Sequence, residues 1–279
     1  MLVPKPGEAL SLQEVKELEF AILADFASFC KAHNWRYWIA YGSLLGAVRH
    51  GDMIPWDDDI DIWMPANDYY KMLAYYKEKK DTSPIGKNLE LLCPETDCNS
   101  YTVFGKVVDT RTVTSEALST AKVNNMGVWI DIFPLYGEKN SRFLTSLGKT
   151  IVYLLLVCMQ ISTIANRPKH TWKGKIARPL LTPLAKIIGY QRFGVAASKL
   201  LGKWFNSFDK TTMVFASDNL SRHHRKSIFK ETIYVKFGEG RYPIPRRYDE
   251  FLRVEYGDNY MTPPPPNDRQ THELNARWR

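Results

Sequence analysis

The chain has 279 residues, 44% of them hydrophobic and 24% charged, which excludes a disordered tail and allows one or two folded domains. Its formal net charge of +8 suits an anionic partner such as a nucleotide, a polyphosphate or an anionic membrane face, although an unremarkable basic surface has the same charge. Four cysteines without a C-x-x-C pair, and a start without an apolar signal-peptide core, favour a reducing, cytoplasmic location.

The first part of the chain alternates helix and strand signals. Ser11 and Glu14 match a capping box, and the apolar residues behind them recur at helical spacing, so an amphipathic helix is predicted over 11–33. The segments that follow are predicted to be a strand over 36–41, helical turns over 44–49, a strand over 59–63, a helix from Pro65 to about 80, and strands over 89–93, 101–108 and 128–133. Pro134 is expected to end the last strand.

The pattern changes after residue 143, where a mainly apolar and basic helical stretch runs to about 202. Strand signals return at 234–237 and in GEGRYPIP, and a short helix is expected over 248–256. We therefore predict an α/β (α+β) protein in three parts, namely a core over 1–140, a mainly helical insertion over 141–225, and a segment over 226–279 that returns to the core.

The segment WDDDIDI, from Trp56 to Ile62, is the most informative feature of the sequence. Alternate side chains of a strand share one face, so Asp59 and Asp61 are expected to point the same way while the isoleucines point into the core. Two neighbouring carboxylates repel each other and are costly to desolvate, and a hard cation such as Mg²⁺ relieves both effects.

A third carboxylate, Asp131, lies in the apolar run WIDIF and would complete such a site from a neighbouring strand. The alternative is an acidic turn, which would account for Asp57 and Asp58 as solvated residues. It accounts poorly for aspartates embedded among isoleucines, and we therefore favour a metal site.

Upstream of the aspartates, Gly42 and Ser43 follow the predicted strand. Glycine lets the backbone approach a ligand closely, and the free N–H groups of a following helix can bind phosphate. A Gly-Ser pair alone is more often a plain turn. The order of a Gly-Ser element, a D-I-D-I segment and a distant I-D-I segment resembles the nucleotidyltransferase superfamily.

A longer stretch narrows this resemblance. The run YGSLLGAVRHGDMIPWDDDIDIWMPANDY, over 41–69, is similar to the signature of the LicD family, which comprises bacterial phosphocholine transferases related to the fukutin group. Further matches are WIDIFPL over 129–135 and an ending with Pro245, Tyr256-Gly257, Tyr260-Met261, a proline-rich stretch, Arg269 and His272. The region from about 143 to 225 carries little of the likeness.

The resemblance implies a nucleotidyltransferase-like fold, in which a mixed sheet core is flanked by helices and carries a helical insertion. It also implies transfer of phosphocholine from CDP-choline to a cell-surface glycan or a lipid-linked glycan precursor, of teichoic acid, lipopolysaccharide or capsule type, with release of CMP. The expected cofactor is Mg²⁺ or Mn²⁺, as two ions held by Asp59, Asp61 and Asp131. Asp57 and Asp58 would hold metal-bound water or activate the acceptor hydroxyl.

Six residues are candidates for binding the donor: Gly42, Ser43, Arg49, Lys106, Arg269 and His272. Guanidinium groups match phosphate oxygens, which favours Arg49. The competing interpretations are a surface arginine for Arg49, a snorkelling lysine for Lys106, and a solvated tail for Arg269 and His272.

Membrane contact is the second question that the sequence raises. Residues 150–166 are free of charge, and Arg167, Lys169 and further basic residues follow them. This length is at the lower edge for a bilayer span, so peripheral contact with the inner face of the membrane is the favoured membrane role. A buried helix with a solvated basic neighbour is the competing interpretation. No nucleic acid is expected as a partner.

Several functional alternatives stay open. A nucleotidyltransferase would release pyrophosphate, and a related transferase would use CDP-linked ethanolamine, aminoalkylphosphonate or alditol phosphate. A non-catalytic, basic membrane- or polyanion-binding module would leave the aspartates unexplained. Trp63, Trp129 and Tyr136 are the aromatic candidates for a choline cage.

Overall fold

The computed structural model describes residues 5–97, 100–115, 126–163, 182–183, 185–269 and 275–279. The helices are α1 (Leu12–His33), α2 (Tyr41–Arg49), α3 (Ala66–Lys79), α4 (Arg142–Thr163), α5 (Tyr190–Phe205) and α6 (Tyr248–Tyr256). The strands are β1 (Trp38–Ile39), β2 (Asp61–Pro65), β3 (Leu89–Leu92), β4 (Gly105–Asp109), β5 (Thr112–Ser115), β6 (Trp129–Gly137), β7 (Met213–Ala216), β8 (His224–Arg225), β9 (Thr232–Phe237), β10 (Gly240–Pro245) and β11 (Asn275–Trp278).

The main sheet is built around β6. Strand β2 pairs with β6 in parallel along one side, and β4 and then β7 pair antiparallel with it along the other. Strands β1 and β3 continue the sheet beyond β2 and β4, and β8 continues it beyond β7. Two smaller antiparallel pairs are formed by β9 with β10 and by β5 with β11. The predicted α/β class with a mixed sheet is confirmed.

Strand β6 is longer than predicted, because it continues through Pro134 to Gly137. Its partner β4 pairs only as far as Ile132, and β7 begins to pair at Leu135. Pro134 therefore falls in the gap between the two partners, where its missing N–H costs no ladder hydrogen bond. The prediction that Pro134 ends the strand is wrong for this reason.

Helix α1 confirms the predicted capping box. The Ser11 hydroxyl accepts a hydrogen bond from the Glu14 N–H, and the Glu14 carboxylate accepts one from the Ser11 N–H at 2.8 Å. The helix ends at Asn34, whose left-handed backbone closes the last turn. Its apolar stripe, which includes Ile22 and Phe26, packs against β4 and β6. Because of this packing, α1 lies over the centre of the sheet.

The region after β6 contains α4 and α5, which pack against each other over a small core that includes Val152 and Leu201. Much of the other side of α4 is exposed and apolar, with Phe143 72% and Tyr153 60% accessible. Among the described residues, α4 is the one helix long and apolar enough to cross a bilayer by length and composition. The basic run predicted to follow it, over 167–178, lies outside the described residues.

The C-terminal part contacts the core through α6, whose Phe251 and Leu252 are fully buried, and through β11 on β5. Helix α6 matches its predicted limits. Strands β5, β7, β8 and β11 were missed because they are short and lack a clear apolar alternation. The three-part division at residues 140 and 225 stays a prediction.

Candidate active site

Three consecutive aspartates form an acidic group at the start of β2. Each of Asp57, Asp58 and Asp59 places a carboxylate oxygen within 4.8 Å of the other two. Asp58 is only 5% exposed, so its interpretation as a solvated residue is wrong. Strand β2 begins at Asp61, and the turn in which the Asp57 N–H bonds the Ile54 carbonyl precedes it. Asp59 lies two residues before Asp61, just outside the strand, and the expected common direction of the two side chains stays a prediction.

Asp61 and Asp131 face each other across the parallel pair of β2 and β6, as register partners. Burial raises the pKa of the Asp61 carboxyl well above its ordinary value, and the neighbouring Asp59 and Asp131 raise it further. Burial also raises the pKa of Asp131. The parallel pairing thus joins two carboxylates that lie far apart in sequence, in a setting where a cation would stabilise their charged forms.

Lys106 provides one cation at this place. It lies opposite Asp131 in the antiparallel pair of β4 and β6, and its ammonium is 2.6 Å from the Asp131 carboxylate. The ammonium is also 4.1 Å from the centre of the Trp129 ring. Lys106 is 5% exposed, so the interpretation as a snorkelling lysine is wrong. A contact of Lys106 with the donor stays a prediction.

Gly42 and Ser43 lie in the first turn of α2 and shape the aspartate segment from the other side. The Ser43 hydroxyl accepts a hydrogen bond of 2.9 Å from the Asp61 N–H and donates one of 3.4 Å to the Asp59 carbonyl. A Cβ atom at Gly42 would lie 2.8 Å from the Asp57 carboxylate. The pair therefore holds the backbone of the aspartates and leaves room for a carboxylate. Direct binding of the donor by this turn stays a prediction.

Two of the predicted basic residues meet at Trp56. The guanidinium carbon of Arg269 lies 4.1 Å from the Trp56 ring centre, and that of Arg49 lies 6.0 Å from it. Arg49 also donates a 2.9 Å hydrogen bond to the Tyr260 carbonyl, and partial burial lowers its pKa. The fold thus brings Arg269, from the C-terminal part of the chain, to the side of Arg49 at the residue that precedes Asp57. His272 lies outside the described residues.

The sequence analysis missed two acidic residues at the site. Glu19 of α1 is 1% exposed. Burial raises the pKa of its carboxyl well above the ordinary value, and the charges of the nearby aspartates raise it further. Its sign in the sequence is a glutamate at a core position of an amphipathic stripe, between Val15 and Ile22. Asp218, after β7, accepts a 3.0 Å hydrogen bond from the Tyr41 hydroxyl. Its negative charge contributes to the raised pKa of Asp61. No pattern in the sequence marks Asp218.

The proposed choline cage is not supported for two of its three members. Trp63 is 1% exposed and Tyr136 is fully buried, so neither ring can face a ligand in this structure. Both side chains are instead part of the aromatic packing of the core, where the Tyr136 hydroxyl bonds the Tyr70 hydroxyl. The third member, Trp129, already has the Lys106 ammonium against its ring.

An open cavity of about 770 Å³ lies between α4 and the loop after β7. Its lining includes Arg142, Lys149, Tyr153, Asp218 and His223. The Lys149 ammonium lies 2.8 Å from the Glu138 carboxylate, which also contacts His223. Because Asp218 bonds Tyr41, the cavity adjoins the turn that holds the aspartates.

The carboxylates present fit a divalent cation. Oxygen ligands from one or two carboxylates are what Mg²⁺ prefers, and the group of Asp57, Asp58 and Asp59 supplies them at short mutual distance. The register partners Asp61 and Asp131 lie in the same acidic environment. Within this environment the Lys106 ammonium compensates the charge of Asp131.

The chain is similar in sequence to known proteins. Residues 34–148 match the family described as LicD/FKTN/FKRP, nucleotidyltransferase domain. The chain is 24% identical over 277 residues to the lipopolysaccharide cholinephosphotransferase LicD of Haemophilus influenzae, covering 96% of this chain and 98% of that protein. It is 62% identical over 32 residues to the human ribitol 5-phosphate transferase FKRP, covering 12% of this chain and 6% of that protein.

Proposed function

We propose that this chain, a member of the LicD family with its matched domain at residues 34–148, transfers a phosphate-linked alcohol from a CDP-activated donor to a glycan. The relatives act with such groups: one is named for cholinephosphate and lipopolysaccharide, the other for ribitol 5-phosphate. Phosphocholine is the favoured group, because the relative with that name is similar along the whole chain. The single observation that carries the proposal is that the acidic group of Asp57, Asp58 and Asp59 directly precedes the register partners Asp61 and Asp131 of β2 and β6.

The carboxylates would serve charge neutralisation and proton removal. Asp59, Asp61 and Asp131 would hold divalent cations, Mg²⁺ or Mn²⁺, which when bound offset the charge of the donor diphosphate. Asp57 or Asp58 would take the proton of the acceptor hydroxyl. The acceptor oxygen would form a bond to the phosphorus distal to cytidine, and the bond between the two phosphates would break, so that CMP leaves with its electron pair.

The arginines at Trp56 would bind the donor. Arg49 and Arg269 bring two guanidinium groups close to the residue that precedes the aspartates. Planar guanidinium groups bind phosphate oxygens in pairs, and they keep their charge at neutral pH. Their positive charge also opposes the repulsion between an anionic donor and the acidic group.

The acceptor would enter from the side of α4. The cavity beside this helix joins an apolar surface, with Tyr153, to basic groups at Arg142 and Lys149, and reaches Asp218 near the aspartates. A lipid-linked glycan precursor presents both an apolar and an anionic part. Peripheral contact of the exposed side of α4 with an anionic membrane face would bring such an acceptor to the cavity.

An assay of the released nucleotide tests the proposal. The protein is incubated with Mg²⁺, CDP-choline and a lipopolysaccharide or teichoic acid acceptor. The nucleotides and the modified glycan are then separated and identified by mass spectrometry. We expect CMP and a glycan that carries one phosphocholine. Replacing Asp59 and Asp61 by Asn should abolish the reaction, while Asp81→Asn, at an exposed position, should leave it intact.

The leaving group distinguishes the alternatives. Pyrophosphate in place of CMP would identify a nucleotidyltransferase. CMP released only from CDP-ethanolamine or a CDP-alditol would keep the reaction and change the transferred group. Binding of anionic lipid without turnover of any CDP conjugate, unaffected by loss of the aspartates, would contradict the enzymatic proposal.

A further inference from the structure

Glu19 occupies a position where an apolar residue is expected. It lies in the buried stripe of α1 between Val15 and Ile22, which are 2% and 1% exposed, and is itself 1% exposed. Within the described part of the chain, its Oε2 atom has no hydrogen-bond partner. A carboxyl group at such a position is costly unless a proton or a cation compensates it.

The packing of α1 brings this carboxyl close to the acidic group. The helix packs against β4 and β6, the strands that carry Lys106 and Asp131. The charges that act on Glu19 are those of Asp59, Asp58, Asp131 and Asp57, in decreasing order. Glu19 therefore belongs to the same electrostatic site as the aspartates, although it lies outside the segment that matches the family.

Lys16, one turn earlier in α1, does not compensate Glu19 with a hydrogen bond among the contacts observed. Its ammonium donates to the carbonyls of Ile54 and Pro55, at 3.0 and 3.1 Å. These bonds attach α1 to the turn over residues 54–57, which ends at Asp57. Helix α1 and the aspartate segment are thus joined by Lys16, and within the described ranges no basic side chain forms an ion pair with Glu19.

We propose that Glu19 is a further carboxylate of the cation site, which binds the divalent cation directly or holds one of its water molecules. This inference rests on the proposed metal-dependent transfer. Carboxylates and carbonyls that support the ligands from behind commonly determine both their orientation and the affinity for the metal. Helix α1 would in this way make cation binding dependent on a part of the chain that the family domain does not include.

Direct titration with Mn²⁺, followed by the electron paramagnetic resonance of the free ion, tests the inference without a measurement of activity. Four proteins are compared: wild type, Glu19→Gln, Glu17→Gln, and the double variant Asp59→Asn with Asp61→Asn. Glu17 is exposed on the same helix, so its replacement removes the same charge without touching the site. We expect Glu19→Gln to weaken Mn²⁺ binding at least about tenfold, and Glu17→Gln to change it less than about twofold.

The outcomes separate the two proposals. Wild-type affinity in Glu19→Gln, together with lost binding in the aspartate double variant, would overturn the role of Glu19 and keep the metal site. Equal Mn²⁺ binding by the wild type and the aspartate double variant would overturn the metal site itself, and with it the proposed function. If Glu19→Gln does not fold, as seen by circular dichroism, Glu19→Met takes its place with the same expected loss.

Discussion

Lys106 on β4 and Asp131 on β6 form an ion pair of 2.6 Å, with the two side chains only 6% and 11% exposed. Asp131 lies opposite Lys106 of the antiparallel neighbour β4 and opposite Asp61 of the parallel neighbour β2. The ion pair therefore links β4 to the acidic residues of β2. One of the two residues was expected to bind the donor and the other a metal. Their contact places a positive charge against the acidic site before any ligand binds.

The first prediction concerns the loss of this lysine. Lys106→Met should destabilise the fold by roughly 3 kcal/mol, because breaking a buried ion pair leaves its partner charge uncompensated. The free energy of unfolding is measured by urea denaturation. Adding Asp131→Leu to Lys106→Met should recover most of the loss, since the double variant no longer buries an unpaired charge. Equal unfolding midpoints for the wild type and Lys106→Met would contradict the role of the pair.

The second prediction concerns the space at Gly42. A Cβ atom there would lie 2.8 Å from an Asp57 oxygen, so Gly42→Ala must displace that carboxylate. Alanine favours a helix, and the fold should keep its stability within about 1 kcal/mol. We expect the rate of CMP release to fall on the order of 100-fold, because small displacements of catalytic groups have effects of this size.

The control for Gly42→Ala is a glycine in α5. A Cβ atom at Gly194 would lie 3.3 Å from the flexible Met159 side chain and in ordinary contact with Ser100 and Pro94, at 3.7 and 3.9 Å, so Gly194→Ala should leave the rate unchanged. Kinetics and thermal unfolding of both variants are compared under the same conditions. Full activity in Gly42→Ala would show that the position of Asp57 does not matter for the reaction.

The third prediction concerns the exposed side of α4. Replacing Phe143 and Leu154, which are 72% and 56% exposed, by Ser should weaken binding to vesicles of phosphatidylglycerol and phosphatidylcholine at least about tenfold. Co-sedimentation measures the bound fraction. Val254→Ser serves as the control, because Val254 is 70% exposed on α6. A wild-type protein that does not bind these vesicles would exclude the membrane role of α4.

The fourth prediction concerns His224, which packs against Phe251 with ring centres 4.8 Å apart. Burial, aided by Arg222, lowers the pKa of His224 from 6.5 to about 4. Between these two pH values the unfolded chain binds the proton and the folded chain does not, so stability falls as the pH falls through this window. At 1.36 kcal/mol per pKa unit, this residue accounts for roughly 3 kcal/mol of loss.

Urea denaturation between pH 7 and pH 4 measures this dependence. Other groups titrate in the same range, so the informative quantity is the difference between the wild type and His224→Gln. The variant should lose roughly 3 kcal/mol less than the wild type over the interval. Parallel pH curves for the two proteins would show that His224 takes up its proton without unfolding.

Local sequence patterns predicted most of the secondary structure. The capping box at Ser11 marks the start of α1, and the limits of α6 agree with its apolar spacing. Helices were predicted well because their apolar period and their caps are encoded by neighbouring residues. The short strands β5, β7, β8 and β11 were missed because their pairing partners, and not their own patterns, make them strands.

By itself, the sequence determined which residues are candidates for cation and phosphate binding, namely acidic residues among isoleucines and an ordered Gly-Ser element. The tertiary structure alone decided which of these groups meet. It paired Lys106 with Asp131, used the Ser43 hydroxyl to hold the backbone at Asp61, and brought the buried carboxyl of Glu19 close to the aspartates. The physical reason is that these contacts depend on strand register and helix packing between segments far apart in the chain, and such distances leave no periodic trace in the sequence.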